Sequence, residues 1–357
     1  MDKQLVSVTS LADIAAIADQ VAGAHALIDY QARKSEETRR RQRFDLEVFA
    51  RFLASAAGYA GDLYSNLEAW RGVSYGLVAA FVRWMERESY AIGSINVRLA
   101  TVRAYAALAV QAGYLSGDEL AKIKTVKGYR AKEGRNLDEK RDRARRENAK
   151  KAAPVEFSPA HATLLKQHAM AGKHKNAARD FLILCLLLDH GLRCEEVASL
   201  NIGALNLVAG TLTFYRHKVD LEQTHNLTGH SLQAAQAYLA TLPATRREEF
   251  AAPLFAGIAH RREVTRDKSA RRKLDRRIAE RTIEHIVARY GARAGLPGLS
   301  PHDCRHYWAT WAIKAGTDVK SLQDAGGWAS PAMPLKYAAR ACIANEGVKL
   351  PATVLSL

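Results

Sequence analysis

At 357 residues the chain is long enough for two domains of ordinary size, and 48% of its residues are apolar, enough for each to have its own core. No uninterrupted apolar stretch is long enough to predict a membrane span, and the opening MDKQLVSVTSLADIAAIAD carries acids inside its apolar part, unlike a signal peptide. The formal net charge of +16 is the informative quantity: it points towards a polyanionic partner and away from acidic-protein or membrane-embedded classes.

Residues 11–30 read as a short Ala-rich helix, an N-terminal extension (1–34). The run RKSEETRRRQR (33–43) is the first basic patch, net +4. From Ser35 the pattern is helical, with Phe44, Val48, Phe49 and Phe52 on one face. Val78, Phe81, Val82 and Met85 form a second apolar face. Ile95, Leu99, Val102 and Leu108 form a third, and Leu115 to Val126 suggests a fourth short helix. Residues 35–126 are therefore expected to be a small all-α domain. Residues 127–151 carry a second patch, net +6, with almost no large apolar side chains, so 127–154 reads as a basic linker.

The second unit, 155–357, opens with RDFLILCLLLD (179–189), apolar all round as in a core helix. Helix continues through EEVASLNI, and Thr211 to Tyr215 then alternate as in a strand. Lys218 to Asp220 is the expected turn and 224–228 the returning strand. Residues 261–281 make the third patch, net +6, so that the three patches account for the whole excess. Helices are expected at 231–242, 276–293, 302–315 and 318–325, with a last one holding Tyr337. The fold class is mainly α with a small antiparallel sheet. Cys185, Cys194, Cys304 and Cys342 are widely spaced, without a metal-ligand pattern, and fit reduced thiols in a cytoplasmic, nucleoid-associated protein. No metal and no cofactor is expected.

The stretch SPHDCRHYWATWAIKAG (300–316) poses the functional question. Ser300 suits an N-cap and Pro301 the first helical position, so a helix begins where His302, Arg305 and His306 crowd together. Cationic side chains at a helix N-terminus fit an anion, a phosphate in particular. Three other segments belong with it: GLRCEE with Arg193 and Glu196, FYRHKVD with Lys218 at the hairpin turn, and GGWASPAMPLKYA with Trp328 and Tyr337.

Taken in order, these segments resemble the catalytic motifs of the tyrosine recombinases, the family of phage and mobile-element integrases, Xer-type recombinases and Cre. The likeness covers about residues 35–345, because the first helical unit is also similar to the family's core-binding domain. The resemblance implies a site-specific recombinase or integrase of a phage or other mobile element, acting through a 3′-phosphotyrosyl intermediate without metal or ATP. It implies double-stranded DNA with specific core sites as partner, a homo-tetramer on paired sites, and room for accessory or directionality factors. An N-terminus too short for a β-rich arm-binding domain suggests binding to core sites only, and the apolar tail Val354–Leu357 would dock on a neighbouring protomer.

The residue chemistry stands beside the resemblance. Two guanidiniums neutralise a phosphodiester without titrating, which suits Arg193 and Arg305. A phenol attacks and later leaves more readily than an alkoxide, which suits Tyr337. Lys218 would protonate the departing 5′ oxygen, with Arg216 and His217 adjacent as alternatives in register. His302 would take the phenolic proton or orient the phosphate, and Trp328 would pack and donate from its indole N–H. Glu196 would orient an arginine and His306 would make a supporting hydrogen bond. The DNA-facing candidates are Arg39, Arg40, Arg41 and Arg43 in the first patch, Arg98, Arg141 and Arg145, and Arg271, Arg272 and Lys273 in the third patch. A replicon-dimer resolvase, a type IB topoisomerase-like enzyme and a non-catalytic DNA-binding protein on the same fold are the competing readings.

Overall fold

The computed structural model describes residues 10–130, 133, 154–256 and 277–341. The chain divides into two compact units, residues 1–152 and 153–357. Arg141, Arg145, Arg271, Arg272, Lys273 and the tail Val354–Leu357 lie outside the described residues.

Serine placement sets many of the helix starts. Ser10, Ser35, Ser74, Ser116, Ser158 and Ser300 each accept a first-turn amide proton on the side-chain oxygen. Each such cap stabilises its helix by about 1 kcal/mol.

The first unit comprises α1 (Leu11–Ala32), α2 (Glu36–Ala57), α3 (Tyr75–Arg87), α4 (Ile92–Gln111) and α5 (Gly117–Thr125), with α4 in contact with the other four. Phe49, Trp70, Phe81, Ile95 and Tyr105 are fully buried at its centre. Two sequence expectations change here. Phe44 does not share the buried face of Val48, Phe49 and Phe52: it is half exposed, with the Arg98 guanidinium over its ring. Nor is α1 a separate extension. It packs on α4 through Gly23 and Ala26, and a Cβ at Gly23 would stand 2.7 Å from the Gln111 carbonyl oxygen. By length and composition α1 could cross a membrane, which the sequence reading did not expect. It carries Asp13, Asp19 and Asp29, charges that a lipid-facing helix would have to bury, and only Gly23 and Ala26 of it are buried, in its seat on α4.

The second unit is built around α7 (Ala177–Asp189), whose residues are nearly all buried and which packs against α6 (Pro159–Met170), α9 (Gly229–Ala240) and α11 (Pro301–Lys314). The short α8 (Cys194–Ser199) follows α7, and α10 (Glu280–Arg293) packs against α6 and α8. The sheet has the order β1 (Leu205–Asn206), β2 (Thr211–Arg216), β3 (Leu221–Asn226), antiparallel throughout. Strand β2 runs one residue further than alternation suggested, to Arg216, which pairs with Leu221. A second, smaller cluster joins α11, α12 (Val319–Gly326) and α13 (Ala332–Ala341) around Ala309, Leu322 and Tyr337. The architecture is mainly α with a small antiparallel sheet.

Candidate active site

Arg193 is the residue before α8, and Glu196 closes the first turn behind it. The Glu196 carboxylate accepts from the Arg193 backbone N–H at 2.7 Å and from its Nη1 at 2.6 Å. The same carboxylate accepts at 2.8 Å on both oxygens from Arg216 Nη1. Burial pushes the Glu196 carboxyl upward, but Arg216 and Arg193 outweigh it and hold it below the ordinary carboxylate value. Glu196 is thus a buried anion shared by two arginines, while the Arg193 side chain keeps 24% exposure.

Arg305 lies on α11 and is 3% exposed. Its Nη1 donates to the Gly191 carbonyl and its Nη2 to the Gly326 carbonyl, both at 2.5 Å. Burial first, then the nearby Arg193 and Arg216 charges, bring its pKa down to about 9, so the group is still a cation at neutral pH. The Trp328 ring faces this guanidinium at 4.5 Å. Trp328 also packs against Tyr337, ring centres 5.7 Å apart. Tyr337, on α13, is 3% exposed and meets His306 edge-on at 5.3 Å. His306 Nε2 in turn lies 2.9 Å from His302 Nε2, so one ring donates and the other accepts. His306 therefore stands between His302 and Tyr337.

Arg193, Glu196, His302, Arg305, His306, Trp328 and Tyr337 are consequently brought to one corner of the second unit, though they span residues 193 to 337. Lys218 is exposed at the turn between β2 and β3, where no hydrogen bond or ion pair to another described residue holds it. The N-terminus of α11 is closed by its own first-turn side chains. Asp303 closes a capping box with Ser300, accepting the Ser300 backbone N–H at 2.8 Å, and its other oxygen accepts from Val155 N–H at 2.9 Å. That carboxylate offsets the positive end of the helix, which leaves anion binding to the arginine side chains.

Among the DNA-facing candidates of the first unit, Arg39, Arg40, Arg41 and Arg43 are exposed along α2, and Arg43 lies over the Tyr64 ring. Arg98 is a correction: it is 8% exposed, 3.7 Å from Asp45 and stacked on Tyr90, so it serves the core and not an outer surface. Cys194, beside Arg193, is held as a thiol by burial and by Glu280, with its pKa raised to about 12.

Arg216 is the site residue that the sequence reading passed over, weighing it only as an alternative to Lys218. Yet the signal was available. Leu212, Phe214 and Arg216 occupy alternate, inward positions of β2, and a charge continuing an apolar strand face requires a buried partner.

No described group of His, Cys, Asp and Glu side chains is arranged to hold a metal ion. What the corner offers is two guanidiniums, one of them partly exposed, beside a phenol and an imidazole pair. That set can neutralise a phosphodiester and supply a nucleophile with a nearby proton acceptor.

Residues 162–342 match the phage integrase family model. Tyrosine recombinase XerA of Pyrococcus furiosus is 28% identical over 208 residues, covering 58% of this chain and 64% of that relative's own length. Tyrosine recombinase XerC of Syntrophus aciditrophicus is 24% identical over 318 residues, 87% of this chain and 90% of the relative. Among solved structures, a lambda integrase dimer bound to a COC′ core site has a TM-score of 0.56 at 13% identity, covering 93% of this chain and 97% of that one. With half of its length matched by the family model, the chain belongs to the phage integrase family of tyrosine recombinases.

Proposed function

We propose that this chain is a site-specific DNA recombinase that integrates or excises a mobile element. Tyr337 Oη attacks the scissile phosphorus, the bond from phosphorus to the 5′ oxygen breaks, and a 3′-phosphotyrosyl link forms. Arg193 and Arg305 hold the non-bridging oxygens, where charge builds in the transition state. The phenolic proton passes to His302, directly or by way of His306, and Lys218 delivers a proton to the departing 5′ oxygen. A 5′ hydroxyl of the partner strand then reverses the step, so no external energy source is consumed. Trp328 walls the site between Arg305 and Tyr337. Arg39, Arg40, Arg41 and Arg43 bind backbone phosphates, and the working species is a tetramer on paired core sites.

The observation that carries this reading is the stack Arg305–Trp328–Tyr337, which brings the proposed nucleophile to the same wall as a buried, backbone-anchored cation. The test is trapping of a covalent protein–DNA adduct on a nicked duplex bearing the core site that the chain selects from a random pool. Tyr337→Phe should abolish the adduct while DNA binding persists. Lys218→Ala should slow it, and a 5′-bridging sulfur, which leaves without a proton, should restore the rate. An adduct that survives Tyr337→Phe refutes the assignment.

A further inference from the structure

Among the described residues of the second unit, Arg216 is the largest charged side chain with no exposure at all. Its fork joins three separate parts of the fold. Nη1 donates to Glu196 of α8, Nη2 donates to the Ala325 carbonyl of α12 at 2.7 Å, and Nε donates to Gln223 of β3. Gln223 continues the tie by donating to the Asp324 carbonyl at 2.5 Å. Gly327, with φ +59°, lies directly against the Arg216 side chain, where a Cβ would collide with it.

These contacts converge on the anion site without entering it. The Ala325 carbonyl held by Arg216 and the Gly326 carbonyl held by Arg305 are consecutive, and Trp328 follows two residues later. On the other side, Glu196 receives Arg216 and Arg193 on the same two oxygens. Were Arg216 absent, the Glu196 charge would fall on Arg193 alone, and the end of α12 would lose its link to the sheet. A bidentate fork is needed here, because a lysine reaches only one of these partners at a time.

Building on the recombinase reading, we infer that Arg216 is a positioning residue that sets the aim of Arg193 and Arg305 at the scissile phosphate. It acts through Glu196 and the Ala325–Gly326 backbone, not through Lys218 two residues away.

The test uses the full chain and the selected duplex, comparing unaltered protein with Arg216→Lys and Arg216→Met; in both variants Glu196 keeps its bonds from Arg193. Adduct formation on the ordinary phosphodiester should slow by about 100-fold, the cost of a misplacement near 1 Å. A methylphosphonate at the scissile position carries one charge fewer, so the deficit should shrink by about 10-fold there. A 5′-bridging sulfur should leave the deficit unchanged. Equal deficits on phosphodiester and methylphosphonate would mean a general structural defect and overturn the inference, as would rescue by the bridging sulfur, which would place the effect at Lys218. If the unaltered chain forms no adduct, the recombinase reading and this inference fall together. If it does and Arg216→Lys matches it, only the inference falls.

Discussion

Replacing Glu196 with glutamine changes the site by little more than one charge. The carboxylate now accepts four short contacts, two from Arg193 and two from Arg216 Nη1, at 2.6 to 2.8 Å. Glutamine has one acceptor oxygen, and its NH₂ would face a donor whichever way it is turned. At least two charge-assisted contacts are lost, and the fully buried Arg216 has no counter-charge. Part of the loss is offset because a neutral amide is cheaper to bury, which leaves a destabilisation of about 3 kcal/mol. For a unit of this size that corresponds to a fall in Tm of roughly 6–12 °C, measured by calorimetry on the second unit's transition. The pH dependence carries the sign. The Glu196 pKa is lower folded than unfolded, so its stabilisation is complete above the ordinary value of 4.5 and is lost as pH falls through the folded value. The gap between the two proteins should therefore narrow in acid. A fall in Tm below about 2 °C at neutral pH, or a gap that persists unchanged into acid, would refute the shared-anion account.

Two further outcomes test neighbouring contacts. Gly327→Ala combines a left-handed backbone with a Cβ pressed against the immobile Arg216 side chain, and should cost about 2–4 kcal/mol in urea unfolding. Gly295→Ala, at φ +75° with open space around it, should cost only about 1–2 kcal/mol, so equal losses would discount the contact. His225, lowered to about 4 by burial and then by His190 and Arg216, binds its proton later in the folded protein than in the unfolded chain. Stability should drop by up to roughly 3 kcal/mol as pH falls from 6.5 to about 4, and His225→Gln should flatten that limb; an unchanged limb would assign it to other groups.

Much of the fold was legible because it rests on local patterns. Serine caps, the apolar period of Val78 to Met85 and the apolar run 181–188 each specify a helix without reference to distant residues. The ordered Arg193, His302, Arg305, Trp328 and Tyr337 pattern was likewise legible as a set, and the fold brings these side chains to one corner. What escaped depended on tertiary partners. Phe44 has the spacing of a core residue, but the buried arc of α2 is taken up by Asp45, Val48, Phe49 and Phe52, leaving its ring at the margin. Arg98 reads as surface charge until Asp45, fifty-three positions earlier, is seen beside it. For Arg216 the inward strand position was readable but its partners were not, since Glu196 and Ala325 lie on opposite sides of it in the chain. At α11 the acid of the first turn serves as the cap, so the cation this helix offers is the Arg305 side chain rather than its own N-terminus.

The two acceptors that grip Arg305 are main-chain oxygens, at Gly191 and Gly326. A peptide oxygen has no genetic identity of its own: point substitutions nearby can recolour the surrounding surface while the acceptor persists. Length is another matter. One inserted residue advances the chain by about 3.8 Å, more than a hydrogen bond tolerates. Diversification or redesign at this corner should therefore accept exchanged letters and reject altered spacing, so loop grafts meant to change target choice belong away from 191 and 326.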